Sequence, residues 1–239
     1  MSAAEVIKWS VFGLCVIFAL IRVPDALRGR NRSVFLSLVL LALAVGLSLP
    51  PLYLAVDQLL GGVNIANLVI RLSLYAIFAI LGVRTAIAFG SQRTRRIIAG
   101  PIGLAVLAIT VLVTVALFVV SDLPESSTGL RAYGDQQAVQ WYADMGRYYP
   151  GYVAACLLSP ATGGLLDGAA RPIHRICSGL MAFGFALVVV FAVASIWGPL
   201  GLFDVILPFG AIVFVTVGLT VAWISRRRSE AGSQRNLLA

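Results

Sequence analysis

Four polar side chains share one face of an otherwise apolar stretch. Asn64, Asn67, Arg71 and Tyr75 stand at offsets 0, 3, 7 and 11, the spacing of one side of an α-helix. A guanidinium offers a rigid fork of N–H donors and holds its proton at any ordinary pH. Such a group, flanked by amides and a phenol, can recognise an anion or the carboxylate of a zwitterion. It is poorly suited to proton transfer. Arg71 lies seven residues past Asn64, roughly 10 Å along a helix axis. Near mid-bilayer an arginine costs about 2.5–3.5 kcal/mol on insertion scales, and such residues normally face the bundle or a water-filled cavity. The spacing therefore predicts an inward Arg71 below a polar lip made by the two asparagines. As a ligand site, the cluster is Asn64, Asn67, Arg71 and Tyr75. As a structural feature, Arg71 pairs with Asp57, Asp144 or Asp204, or snorkels outward to headgroups. Asp144 can also pair with Arg147 at i, i+3.

Catalysis finds no comparable cluster. The single histidine, His174, sits between Arg171 and Arg175 without the positioned partner that a general base needs. No HExxH, GxSxG or Walker A run occurs, and the sole lysine, Lys8, lies in no glycine loop. Asp135 has no second aspartate at membrane depth with which to form a catalytic pair. Cys15, Cys156 and Cys177 fall within or at the edge of apolar segments and form no CxxC or Cys/His group, so inert thiols are expected rather than disulfides or metal ligands. The expectation is a protein that is not an enzyme and needs no metal or cofactor. A net charge of +8 could suggest nucleic acid, but the arginines come in short clusters between apolar runs, as topology signals do. No nucleic acid partner is expected.

The elements that position these residues are hydrophobic runs. The 239 residues are 60% hydrophobic and 12% charged, with a mean hydropathy of +0.96, against about 25% charged in a soluble domain. Apolar runs of 18 or more residues can cross a hydrocarbon core of roughly 30 Å, and helices satisfy their own backbone there. The pattern predicts seven crossings, near residues 6–21, 34–49, 64–88, 97–120, 137–166, 176–197 and 202–224. Residues 51–62 read as a short amphipathic surface helix that Pro51 starts and Gly61-Gly62 end. The fifth crossing starts above the membrane near Gln137 and enters it around Tyr148. Pro101 is expected in the first turn of the fourth, and Pro208 as a kink in the seventh. The acidic loop 121–135 carries no predicted element. Gly82, Ala86 and Gly90 at i, i+4 and i+8 suggest a close-packing stripe.

Charge sets the orientation. With seven crossings, the clusters at 22–32, 84–96, 171–175 and 226–235 fall on one side and hold 14 of the 18 basic residues. Six crossings would put the arginine-rich tail outside, against the positive-inside rule. The fold expected is thus an all-α bundle of seven transmembrane helices, N-terminus outside and C-terminus cytoplasmic. Residues 1–224 form the bundle and 225–239 a basic cytoplasmic tail. No cleavable leader is read at the N-terminus. Seventeen arginines against one lysine, in an Ala, Val and Gly-rich background, suggest a GC-rich bacterial genome and hence the bacterial cytoplasmic membrane.

Residues 50–67 combine Pro-Pro-x-Tyr, Val-Asp-x-Leu-Leu-Gly and Asn-x-Ala-Asn. In that run the chain resembles the N-terminal membrane region of an actinobacterial family of integral-membrane proteins classed as transporters. The remaining helices match that family in number and spacing. The resemblance implies a seven-helix bundle, in the family usually followed by a cytoplasmic domain, which this chain is expected to lack. It implies no site at Arg71, where the family is expected to vary.

Together these readings predict a multi-pass protein that binds, or moves without ATP, a small anionic or zwitterionic solute entering from the outer side. The alternative is a non-catalytic membrane sensor or scaffold whose basic loops dock a cytoplasmic protein or anionic lipids. The bilayer is the certain partner of such a chain; a second copy of it is another candidate.

Overall fold

The computed structural model describes residues 2–237, with side chains through residue 225 and that of Arg227. Among the described residues every regular element is a helix. The α-helices are α1 (Ala3–Leu27), α2 (Arg32–Gly46), α3 (Pro50–Leu59), α4 (Ile65–Ala88), α5 (Gln92–Ala99), α6 (Pro101–Val120), α7 (Gln137–Leu166), α8 (Pro172–Ala194) and α9 (Phe203–Leu237). Short 3-10 turns at Thr128–Tyr133 and Ser195–Trp197 complete the set.

Five of these helical segments are long and apolar enough to cross a membrane: Ala3–Leu27, Ile65–Ala88, Gln92–Val120, Pro172–Trp197 and Phe203–Ser225. A sixth arises if α2 and α3, which meet at 99°, form one broken span. The chain therefore has the make-up of a multi-pass helical membrane protein. Burial supports this. In α6 the buried residues are Gly103, Thr110 and Thr114, while Ile102, Leu104, Ile109, Leu112 and Val119 are exposed. Small and hydroxyl-bearing residues face the protein and branched apolar ones face out, the reverse of a helix in water.

Packing follows a closed circuit. α1 lies against α2, α2 against α4, α4 against α7, α7 against α8, α8 against α9, and α9 returns to α1. α6 sits outside this circuit against α7 and α4, and α5 fills the corner among α4, α6 and α7. One apolar cluster joins Tyr75 and Ala86 of α4 to Val153, Leu157 and Phe185 of α7 and α8. Another joins Cys15 of α1 to Leu41, Ile77 and Leu81. The three cysteines are free, with Cys15 and Cys177 buried and Cys156 half-buried.

Several boundaries differ from the sequence reading, each for a local reason. The fourth predicted crossing is two helices: Gly100 is extended (φ −81°, ψ −179°) and Pro101 opens a new helix, because the residue before proline avoids helical geometry. α1 runs through Pro24 to Leu27, so Arg22 and Asp25 belong to a helix rather than to a basic loop. α2 ends at Gly46, three residues before the predicted stop, and α3 starts on Pro50 rather than Pro51. Of the small-residue stripe, Gly82 does pack closely: a Cβ there would lie 2.6 Å from Val153 Cγ1. Gly90, however, lies beyond the end of α4 at φ 67° and takes no part. α9 continues as helix to Leu237, through the stretch read as a tail; the side chains of Arg226, Arg228, Glu230 and Arg235 lie outside those described.

Candidate functional site

The α3–α4 turn sets the geometry around the predicted cluster. Gly61 and Gly62 have φ of 104° and 72°, and Asn64 is left-handed at φ 64°, a conformation glycine and asparagine tolerate best. This tight turn folds Asp57, at the end of α3, back over the start of α4. Its carboxylate accepts hydrogen bonds from the backbone N–H groups of Asn64 and Ala66, both at 2.9 Å, and from the Ser126 hydroxyl. An anion is favoured there because the first N–H groups of a helix are unpaired and carry its positive dipole end. Asp57 is fully buried and fully used.

Asn64 is a latch. Its Oδ1 accepts from the Tyr53 hydroxyl at 2.9 Å and from Ser127 N at 2.7 Å, and its Nδ2 donates to the Glu125 carbonyl at 2.7 Å. The acidic loop is thereby fastened over this end of the bundle. Within that loop Tyr133 and Gln136 bond back to Glu125 and Asp122. Leu123 and Leu130 pack against Val139 and Tyr142. Asn64 is 0% and Asn67 5% exposed. The expected open lip is therefore a closed seam, because the amides are consumed in holding the loop and α7.

Arg71 does point inward. Its guanidinium lies between α4 and α7, where Nη1 donates to the Ala143 carbonyl at 3.1 Å and the charge stands 4.9 Å above the Tyr142 ring. Tyr142 in turn donates to Asn67 Oδ1 at 3.0 Å, so one tyrosine joins Asn67 and Arg71. Gly146 makes this fit possible: a Cβ there would fall 1.3 Å from Arg71 Nη1. Tyr75 belongs to a separate contact. Its hydroxyl bonds Thr114 of α6 at 2.9 Å, and its ring meets Tyr149 edge-on at 5.8 Å.

None of the proposed counter-ions pairs with Arg71. Asp57 is committed to α4, Asp144 pairs with Arg147 at 3.2 Å, and Asp204 accepts from Leu200 N at 3.0 Å while its Oδ1 is buried without a partner. Among the described residues the ion pairs are Arg147–Asp144 and Arg227–Asp25. Arg71 thus keeps a carbonyl and an aromatic face, and no carboxylate.

On the other side of Gly146, α2, α4, α7, α8 and α9 surround a partly open cavity of about 140 Å³. Gly146 and Arg147 line it at the level of Phe191 and Pro208, and its walls below are Leu74, Phe78, Leu157 and Phe185. Arg147 stacks on Phe191 at 5.4 Å. The sequence, which offered Arg147 only as a partner for Asp144, held no sign of this placement. Its i, i+3 spacing from Asp144 was visible; the neighbours on α8 and α9 were not.

At the opposite, arginine-rich end a second group escaped the sequence reading. Asp25, 6% exposed, accepts from Trp223 Nε1 at 2.8 Å and from Arg227. Arg22 and Arg227 lie over the Trp223 ring at 5.4 and 4.7 Å, and Arg22 donates to the Leu219 carbonyl at 3.0 Å. The group clasps α1 to α9. Arg22 and Asp25 at i, i+3 were a signal for it once α1 is carried through Pro24. His174 and Asp167 line a separate recess at this end, with Ser91 and Ser159. His174 is on the first turn of α8, 6.2 Å from the Phe89 ring. No group of three or more His, Cys, Asp or Glu with metal-holding geometry occurs among the described residues.

Comparison with known proteins adds no relative: no family model, no curated protein and no solved structure matches the chain. Fold and site together define a class, a multi-pass helical bundle with a half-buried arginine between two of its helices and a mainly apolar cavity nearby.

Proposed function

We propose that this chain is a seven-span protein of the bacterial cytoplasmic membrane, N-terminus outside and C-terminus cytoplasmic, that binds a small anionic or zwitterionic solute from the outer side and moves it without ATP. One observation carries the reading: the Arg71 guanidinium, between α4 and α7, has no carboxylate partner among the described residues. A charge inside a membrane bundle is costly unless paired, and marks a substrate or ion path by default. An incoming anion would supply the missing partner through charge-assisted N–H bonds.

The count of seven takes α2 and α3 as one broken span and adds α7. Its 30 residues span about 45 Å as a helix, longer than a hydrocarbon core. It falls short of the apolar spans in composition because it is packed against α4, α6 and α8 and needs little lipid-facing surface. With α7 crossing, the arginine clusters collect on one side, as the positive-inside rule asks.

A thermal-shift screen of the purified protein against small anions and amino acids, with Arg71→Leu in parallel, tests the reading. A ligand at 100 times its Kd stabilises a fold by about 2.7 kcal/mol. The shift is expected in the wild type and absent in the folded variant. The rival reading, a non-catalytic sensor or scaffold, is favoured by the recess of about 380 Å³ at the arginine-rich end. It predicts no ligand for Arg71 and a partner bound at that recess.

A further inference from the structure

Resting on the anion reading above, we infer a narrower ligand class: a small carboxylate whose apolar part is about the size of a benzene ring. The carboxylate lies at the end of the cavity marked by Arg147, with Arg71 behind Gly146, and the apolar part occupies the space below.

Three observations lead there. The cavity holds about 140 Å³ and its walls are mainly leucine, isoleucine, valine and phenylalanine side chains with small residues and prolines between them, and Thr216 and Arg147 are the polar exceptions. A cavity of about 150 Å³ lined by Leu, Ile and Phe takes up benzene, so this space matches a single ring in size. Such a volume also excludes the full acyl chain of a phospholipid.

Positive charge is confined to one end. Counting along the parallel helices α4 and α7, Leu74 to Gly82 and Pro150 to Leu157 line the body of the cavity. Arg71 is three residues before Leu74, and Arg147 three before Pro150, so both arginines stand one turn above those walls. Gly146 ties the two together: it lines the cavity and carries the Arg71 guanidinium against its Cα. An apolar chamber with the Arg147 guanidinium at one end, and the Arg71 guanidinium behind Gly146, is complementary to an amphiphile with an anionic head.

The resting partner of Arg147 can yield. The Arg147 and Asp144 side chains are 25% and 36% exposed, and pairs of that kind contribute little net stability. A ligand carboxylate replaces Asp144 on Arg147, while its apolar group fills a space that protein atoms leave empty. Asp144 then turns to solvent. Simple inorganic anions lack the apolar part and gain nothing from the chamber.

The test is isothermal titration of the full chain in nanodiscs with phenylacetate, acetate and benzyl alcohol. An apolar increment in a hydrophobic pocket is worth roughly 10–200-fold in discrimination. Phenylacetate should therefore bind at least about tenfold tighter than acetate. Arg147→Gln should weaken phenylacetate by about tenfold, and Ala211→Phe, which fills the cavity from α9, should bring phenylacetate down to the level of acetate. If Ala211→Phe does not fold, competition replaces it: benzyl alcohol, carrying the apolar part alone, must displace phenylacetate. Equal affinity for phenylacetate and acetate would overturn the amphiphile assignment and leave the anion reading standing. Phenylacetate binding that survives both Arg147→Gln and excess benzyl alcohol would place the ligand elsewhere and overturn it too. No anion bound by the wild type would bring down both.

Discussion

Gly146 and Arg71 are a matched pair, and their match makes a sharp prediction. A Cβ on Gly146 would lie 1.3 Å from Arg71 Nη1 and 2.9 Å from Arg71 Cδ, so Gly146→Ala must push the arginine out of its place. Overpacking of this kind costs about 1–3 kcal/mol, and a lowered melting temperature in detergent should accompany loss of any Arg71-dependent ligand. Asp57 makes a second. Asp57→Ala strands two backbone N–H groups and the Ser126 hydroxyl, at about 1–3 kcal/mol for each donor left buried. Asp57→Asn keeps an acceptor and should cost less. Protease sensitivity of the 121–136 loop reads the difference, since that loop is tied down through Asp57 and Asn64.

Among the helices, α1 and α9 close the circuit through Asp25, Trp223 and the two arginines. Asp25→Ala removes the acceptor of the Trp223 N–H and the partner of Arg227. Hydrogen exchange should quicken in α1 and in the 219–227 part of α9 while α4 and α7 keep their protection. Uniform loss of protection would mean that the clasp supports the whole bundle. The helices themselves were legible because lipid imposes long apolar runs, and Gln137 and Asn64 mark starts within a residue of those observed. Less legible were features set by partners distant in sequence. The break at Gly100 turns on one Gly-Pro step that hydropathy averages away. The order in the acidic loop depends on Asn64, some sixty residues earlier in the chain. In the site, the inward direction of Arg71 was readable from its spacing, whereas Tyr142, Ala143 and Gly146 come from another helix. The asparagines were misread as a lip because a buried amide and a solvent-facing one leave the same mark in a one-dimensional pattern.

For the molecule as a whole, a seventh crossing depends on α7, a helix of 30 residues that is not among the apolar spans. Single cysteines at its two ends, Gly134→Cys and Gly168→Cys, in a chain whose Cys15, Cys156 and Cys177 are replaced by Ala, decide it. In intact cells an impermeant maleimide should label position 134 and reach position 168 only after permeabilisation. Labelling of both from the same side would leave six crossings or fewer and put the arginine clusters on both faces. The closed circuit of helices would then need another orientation.

The most direct measurement is the dissociation constant of the best anion from the thermal screen, titrated into wild-type protein and into Arg71→Leu in the same nanodiscs. A recognition role for Arg71 predicts a Kd raised at least about tenfold, a loss of about 1.4 kcal/mol, in a variant that melts cooperatively. An unchanged Kd in such a variant would contradict it, and Arg71 would then be a structural arginine held by Ala143 and Tyr142.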